Sequence, residues 1–150
     1  CSAMHARALK ANNVKVKAMV CLEMIGYFTE EKNSQEYPLG ILKALYPREG
    51  NFIAVIGQLS DNGLTKNFKK NMRQVMTLGV ESLNAPSSVR GVDFSDHHNY
   101  WNEGYPAIMI TDTSFMRNKN YHKSTDTIDT LDFEKMAEVV KGVYHAILTM

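Results

Sequence analysis

Three apolar runs, separated by stretches with helix signals, restrict the fold of this sequence more than any other feature. The first run ends a predicted strand over residues 14–22, which alternates at first and becomes continuously apolar from residue 19, and the other two fill predicted strands over residues 51–57 and 107–111. Apolar runs of this length are typical of strands that are buried on both faces of a sheet. Strands that alternate with helices build an α/β fold in which helices cover both faces of the sheet.

Helix signals fill the intervening stretches. Residues 2–11 are rich in helix formers, and residues 64–76 place apolar side chains on one helical face. Asp132 is positioned to cap a last helix with apolar side chains at helical spacing up to residue 147. A helical turn over residues 41–46 and a short strand over residues 81–85 complete the prediction, which contains no internal repeat.

Composition excludes several classes of protein. Of the 150 residues, 44% are hydrophobic and 22% are charged, which is close to the globular average and excludes a disordered or collagen-like chain. No apolar run approaches the roughly 18 residues that span a membrane. The net charge of +1 argues against a general electrostatic grip on nucleic acid. Cys1 and Cys21 alone cannot build a disulfide framework.

Candidate functional residues lie where predicted strands end and long loops follow, as is usual in α/β proteins. The predicted long loops are residues 26–40, 86–104 and 112–131. Glu23 directly follows the first apolar run. A carboxylate there is costly unless it is solvated, paired, protonated or bound to a metal. Asp96 with His97, and His122 with Asp126, place carboxylates near imidazoles, as metal sites and their supporting residues do. Taken alone, each of these signals also fits an ordinary polar loop or a structural histidine.

In their order along the chain, these segments resemble the co-catalytic dizinc aminopeptidase family. That family includes bacterial leucyl aminopeptidases, glutamate carboxypeptidases, glutaminyl cyclases and the non-catalytic transferrin receptor ectodomain. The matching blocks are Leu-Glu-Met-Ile-Gly-Tyr at 22–27, Ser-Asp-His at 95–97, Gly-Tyr-Pro-Ala at 104–107, and Tyr-His with Asp-Thr at 121–127. The resemblance covers nearly the whole chain. It implies a three-layer α/β/α fold with a mixed, mostly parallel sheet, the phosphorylase/hydrolase-like zinc peptidase fold, incomplete here.

The resemblance also implies roles for individual residues. Glu23 matches a terminal ligand of one zinc ion, and His122 matches a terminal ligand of the other. Tyr121 matches a residue that polarises the scissile carbonyl in some branches of the family. Asp96 is expected among the catalytic residues.

Supporting roles follow from the same comparison, whereas a substrate pocket is predicted from residue type. His97 belongs to a motif that supports the active site, and Asp126 is expected to orient the loop that carries His122. An apolar pocket, suited to bulky apolar N-terminal residues, is expected from four side chains: Met24, Tyr100, Trp101 and Phe115.

The family's dizinc site needs further residues that are expected upstream of residue 2. These are an earlier His, a bridging Asp and a Glu-Glu pair that includes the general base; the pair at 30–31 stands in the wrong order. Helix-forming residues also begin directly after the first residue, which predicts a start inside a larger protein. Residues 1–150 are therefore expected to be the C-terminal portion of a zinc peptidase catalytic domain. The resemblance implies two zinc ions in the complete site and a partial site here.

We thus expect a full-length parent that releases N-terminal residues from peptides, and an isolated chain that lacks activity. Missing strands would leave an open sheet edge, which predicts pairing with the upstream half or with another copy of the chain. A single-zinc glutaminyl cyclase and a non-catalytic binding module of the same fold are the alternatives. The family's cyclases carry Trp before the zinc-binding His, where this chain has Tyr121. Family resemblance favours an extracytoplasmic location.

Overall fold

The computed structural model describes all 150 residues, which form four strands and five helices. The strands are β1 (Met19–Leu22), β2 (Phe52–Gly57), β3 (Gly79–Asn84) and β4 (Ala107–Thr111). The helices are α1 (Ser2–Ala11), α2 (Leu42–Leu45), α3 (Asn62–Arg73), α4 (His97–Asn102) and α5 (Phe133–Leu148). Short 3-10 turns lie at Leu59–Asp61, Ser114–Met116 and Ile128–Thr130. None of the helices combines the length and hydropathy that crossing a membrane requires.

The strands make one mixed sheet in the order β1-β4-β2-β3. The β1–β4 and β2–β3 pairs are parallel, and an antiparallel pair of β2 and β4 joins them. Because β1 and β4 run side by side in the same direction, their carboxyl ends meet at one end of the sheet. The segments that follow residues 22 and 111 therefore leave the sheet together.

Different helices pack on the two faces of the sheet, so the expected three-layer α/β/α arrangement is confirmed. Helices α3 and α5 cover one face and enclose the larger core. Its buried side chains come from all these elements: Ile53, Val55, Val80, Ile108, Ile110, Phe68, Met72, Val139, Val143 and Ala146. The other face carries a smaller core around Phe52, Ala54 and Met109, and α1 and α4 cover part of it.

Most of the predicted elements are confirmed, and Asp132 does cap α5, since its carboxylate accepts the N–H of Lys135 at 3.0 Å. The strand predicted over 14–22 was too long. The observed strand β1 begins at Met19, which pairs with Ala107, the first residue of β4. Pro106, directly before Ala107, has no N–H group to donate to a neighbouring strand, so the pairing does not extend further. Helix α4 lies inside a stretch predicted as loop, because six residues are too few to show a helical period.

Glycine at position 57 is required by close packing. A Cβ atom there would lie 2.6 Å from Cγ2 of Thr65 on α3 and 3.0 Å from Nδ2 of Asn84 on β3.

We expect Gly57→Ala to lower the free energy of unfolding by about 1–3 kcal/mol, as overpacking does. Gly63→Ala is the matched control, because no atom lies within 4 Å of a Cβ there and the residue lies in α3. It should raise stability by about 0.5 kcal/mol. Urea unfolding measures both, and equal effects would contradict the packing argument.

Candidate active site

Glu23 stands at the carboxyl end of β1, where the chain leaves the sheet. Its N–H donates to the carbonyl of Ile110 on β4 at 3.0 Å, which fixes the backbone. Its half-buried carboxylate accepts a hydrogen bond from the Ser95 hydroxyl at 2.8 Å. That hydroxyl oxygen also lies 3.1 Å from the Cys21 thiol. One carboxylate oxygen of Glu23 is therefore oriented, and the other makes no hydrogen bond within the chain.

Asp112 directly follows β4 and joins the two segments that leave this end of the sheet. One carboxylate oxygen accepts the N–H groups of Gly26 and Tyr27 at 3.2 and 2.8 Å. The other accepts the N–H of Ser114 at 2.8 Å. Burial raises the pKa of Asp112 to about 6, against the opposing effects of these N–H donors and of the Arg117 guanidinium. Asp112 thus holds the segment after β1 against the loop after β4.

Arg117 anchors the same loop to the sheet. Its guanidinium donates to the carbonyls of Gly50 and Phe52 at 2.9 and 2.8 Å and lies 4.4 Å from the centroid of the Phe52 ring. Its Nε donates to Gln35 at 2.8 Å. Burial lowers the pKa of Arg117 to about 10, so the side chain stays charged at neutral pH. The loop is therefore fixed to β2 and to the 26–40 segment.

The Tyr121 and His122 rings stack on each other, with their centroids 3.9 Å apart and their planes at 16°. Tyr121 is half-buried, and His122 is exposed. The Asp126 carboxylate accepts a hydrogen bond from the buried Asn118 at 3.2 Å, which ties the loop around His122. No hydrogen bond joins Asp126 to the imidazole itself.

Backbone strain is concentrated in the two segments that Asp112 joins. Four of the six non-glycine residues with positive φ lie there: Met24, Thr113, Ser114 and His122. Such conformations cost energy and persist where surrounding contacts determine the backbone. The strain thus gathers next to Glu23 and at His122.

A cleft of about 850 Å³, part of it open to solvent, lies over the sheet face opposite α3 and α5. Glu23, Phe115 and Tyr121 all line it. Its floor is formed by side chains of the sheet, and its apolar lining includes Tyr37, Leu42, Phe52, Ile56, Leu83 and Met109. The cleft therefore brings one expected ligand, the expected carbonyl-polarising tyrosine and one expected pocket residue to the same place.

The charged side chains of this cleft are Glu23, Glu81 and Arg90. The Glu81 carboxylate is neutralised, since it pairs with Lys69 at 2.6 Å and with Arg73 at 2.9 Å. Arg90 is exposed and has no carboxylate within salt-bridge distance. The cleft thus holds one cation without a partner.

Asp96 and His97 do not line the cleft. Asp96 is exposed and accepts a hydrogen bond from the Ser2 hydroxyl at 2.6 Å. His97 is fully buried, its Nε2 lies 2.7 Å from the Val92 carbonyl, and burial lowers its pKa. These contacts attach α4 to its surroundings, and neither residue hydrogen-bonds to Glu23 or His122.

Of the four expected pocket residues, Phe115 lines the cleft and the other three do not. Tyr100 lies 2.5 Å from His5 of α1, and Trp101 donates to the first carbonyl of β4 at 2.9 Å. Met24 is half-buried in the strained turn after β1. Because α4 is helical, the side chains of Tyr100 and Trp101 are directed toward α1 and β4. The sequence predicted a loop over these two residues, and a loop prediction does not specify where side chains point.

Three residues that organise the site had no role in the sequence prediction: Ser95, Asp112 and Arg117. A signal did exist for Asp112, because it follows a buried strand just as Glu23 does. Nothing in the sequence pairs Ser95 with a carboxylate 72 residues away, since only the fold brings them together.

The residues of this chain do not by themselves fit a zinc ion. No three His, Cys, Asp or Glu side chains gather into a group that could hold a metal. Zinc in proteins is bound by about four ligands, three of them from protein when one position stays open. Glu23 and His122 therefore need donors from elsewhere to form such a site.

A sequence model of peptidase family M28 matches residues 2–147. The chain is 48% identical over 142 residues to the uncharacterized protein YfbL of Escherichia coli, covering 95% of this chain and 43% of that protein. It is 29% identical over 133 residues to leucine aminopeptidase 1 of Ajellomyces dermatitidis, covering 88% of this chain and 30% of that protein. The chain therefore spans less than half the length of these relatives.

Solved structures share the fold. The LapA aminopeptidase of Legionella pneumophila superposes with a TM-score of 0.67 at 24% identity, covering 97% of this chain and 34% of that one. BSAP, a zinc aminopeptidase from Bacillus subtilis, superposes with a TM-score of 0.64 at 15% identity, covering 97% of this chain and 31% of that one. At these identities the likeness establishes the fold alone.

The raised pKa of Asp112 predicts a pH dependence of stability. The folded state binds this proton more tightly than the unfolded state, whose pKa is near the ordinary 3.8. The contribution of Asp112 is therefore fully present below pH 4 and lost as the pH rises through about 6. Asn at this position cannot titrate, so the stability of wild type relative to Asp112→Asn should fall from pH 4 to pH 7. Urea unfolding at intervals across this range measures the difference, and a pH-independent difference would refute the assignment.

Proposed function

Since this chain belongs to peptidase family M28, we propose that the protein containing it is a zinc-dependent aminopeptidase that removes N-terminal residues from peptides. The observation that carries the proposal is that Glu23 and Tyr121 line one cleft. The names of the relatives and of the solved structures support the same activity.

We infer that Glu23 and His122 each supply one zinc ligand and that residues outside this chain supply the others. Carboxylate and imidazole are ordinary zinc ligands, and two zinc ions in one site would stabilise charge on the reacting oxygens. Ser95 supports the role of Glu23, because its hydroxyl orients one carboxylate oxygen and leaves the other free. Asp112 supports the relative placement of the two ligand-bearing segments.

Tyr121 is proposed to polarise the scissile carbonyl through its hydroxyl group. Stacking on His122 restricts the tilt of its ring, and Phe115 packs against it with the centroids 5.8 Å apart. A phenol held in this way is already oriented to donate a hydrogen bond to a developing negative charge. The side chain therefore need not change its conformation during the reaction.

The apolar lining of the cleft supports a substrate with an apolar N-terminal residue. Phe115 stays in the proposed pocket, and Met116, Phe52 and Met109 lie with it on the cleft surface. Burial of a leucine-sized side chain against such a surface is worth roughly 1.5–3 kcal/mol. Peptides that begin with leucine are therefore the first substrates to test.

We further propose that polypeptide from outside the chain covers the free side of β1 and the outer face of α5. β1 is an edge strand, and the pairing of its alternate residues with β4 leaves the peptide groups of Val20 and Leu22 pointing away from the sheet. Several large side chains of α5 are about half exposed or more: Phe133, Val140, Tyr144 and Ile147. The rest of a longer protein or a second copy would bury both surfaces.

Zinc content separates a complete site from a partial one. After dialysis against low micromolar zinc, we expect the isolated 150-residue chain to retain almost none and the full-length protein to retain zinc. Chelation should abolish hydrolysis of leucyl-4-nitroanilide by the full-length protein, and added zinc should restore it. A full-length protein that holds no zinc and hydrolyses no aminoacyl substrate would instead be a non-catalytic binding module.

Substitutions in the full-length protein test the assigned ligands. We expect Glu23→Gln and His122→Ala to lower zinc affinity strongly, and Ser95→Ala to lower it by about 10-fold, as loss of a ligand's supporting hydrogen bond does. Asp96→Asn is the control for these substitutions, because Asp96 does not line the cleft. We expect its zinc affinity to equal that of the wild type. Zinc affinity is measured by competition with a chromogenic chelator. Unchanged affinity in Glu23→Gln would remove Glu23 from the site.

A further inference from the structure

We propose that Arg90 forms a carboxylate-binding subsite of the cleft and gives the peptidase a preference for peptides that carry a carboxylate just beyond the scissile bond. This inference rests on the proposed aminopeptidase function and narrows its substrate class. The carboxylate is either the C-terminus of a very short peptide or an acidic side chain at the second position.

Arg90 packs over an aromatic ring and forms no salt bridge within the chain. Its guanidinium carbon lies 4.8 Å from the centroid of the Phe115 ring. Stacking on an aromatic ring occupies one face of the guanidinium plane, whereas its N–H groups point outward along the edges of that plane. A carboxylate can therefore form two parallel hydrogen bonds with Arg90 while the stack stays intact.

No carboxylate of the chain lies within salt-bridge distance of Arg90. Of the two carboxylates that line the cleft, Glu81 is already paired with Lys69 and Arg73, and Glu23 accepts a hydrogen bond from Ser95. The apolar surroundings strengthen the attraction, because the effective dielectric constant near them is below that of water. An incoming carboxylate would thus meet an unpaired positive charge.

The backbone at Gly91 brings Arg90 close to Phe115. Gly91 has φ +91°, a conformation that side chains rarely adopt, and a Cβ there would lie 3.1 Å from Cε of Met116. The segment therefore packs tightly against the loop that carries Phe115. Arg90 owes its place in the cleft to this contact and not only to the reach of a long side chain.

The distance from Arg90 to the proposed reaction centre suits a short peptide. The Phe115 and Tyr121 rings contact each other with their centroids 5.8 Å apart and their planes tilted by 52°, and Tyr121 stacks on His122 at 3.9 Å. The steps of 5.8 Å from Tyr121 to Phe115 and 4.8 Å from Phe115 to Arg90 set an upper limit on the distance between Tyr121 and Arg90, and two to three extended residues at roughly 3.5 Å each span that limit. A carboxylate one or two residues beyond a carbonyl bound at Tyr121 therefore reaches the guanidinium, because the hydrogen bonds at the two ends cover part of this distance at about 2.9 Å each.

Matched substrates test the subsite in the zinc-loaded full-length protein. Leucyl-glycine is compared with leucyl-glycinamide, which lacks the C-terminal carboxylate. Leucyl-glutamic acid α-amide is compared with leucyl-glutamine amide, which differs only in the side-chain carboxylate. We expect kcat/KM to favour the carboxylate member of at least one pair by about 10-fold, the scale of a hydrogen-bonded charge pair. The pair that shows the preference identifies which of the two carboxylates is recognised.

Arg90→Gln should reduce that ratio to about one, and Arg90→Lys, which keeps the charge without the planar fork, should give an intermediate value. Arg7→Gln is the matched control, since it removes the same charge from an exposed arginine of α1 that does not line the cleft, and it should keep the wild-type ratio. A wild-type ratio near one for both pairs, or a ratio that survives Arg90→Gln, would overturn the proposal.

Binding to the zinc-depleted full-length protein separates this inference from the proposed function. Calorimetry then measures the Kd of each peptide without turnover. Tighter binding of the carboxylate member, lost in Arg90→Gln, would support the subsite even if no peptide were hydrolysed with zinc present. Hydrolysis without any carboxylate preference in either assay would leave the aminopeptidase proposal standing and eliminate the subsite.

Discussion

The buried carboxylate of Asp112 is the constraint on which the arrangement of the site depends. A carboxylate removed from water needs hydrogen-bond donors, and Asp112 obtains three from backbone N–H groups on two separate segments. Those segments are within its reach because β1 and β4 are parallel neighbours whose carboxyl ends coincide. The turn after Glu23 and the loop toward Tyr121 and His122 are consequently held at fixed positions relative to each other.

The two sheet faces perform different tasks. Helices α3 and α5 fill one face with close-packed aliphatic side chains, which supplies most of the hydrophobic stabilisation. The other face is covered only in part, by α1 and α4, and the uncovered part is the floor of the cleft. Arg117 attaches the wall of the cleft to its floor, because its guanidinium donates hydrogen bonds to the carbonyls of Gly50, just before β2, and of Phe52 in β2.

Prediction succeeded where physical signals are local. The apolar runs located the strands, Asp132 located the start of α5, and a carboxylate after a buried strand drew attention to Glu23. It was less successful where orientation depends on distant contacts. Tyr100 and Trp101 were assigned to a pocket by their aromatic character, but α4 directs them toward α1 and the sheet. The zinc-ligand roles of Glu23 and His122 stay predictions.

The sequence by itself determined the alternation of strands and helices, the family blocks, and the presence of acidic and aromatic residues at strand ends. These properties depend on residue type and spacing, which are readable along the chain. Only the tertiary structure decided that Ser95 meets Glu23, that Asp112 joins two loops, and that Arg90 stands unpaired over Phe115. Such contacts link residues far apart in sequence, and their geometry is fixed by strand order and loop packing, which spacing does not encode.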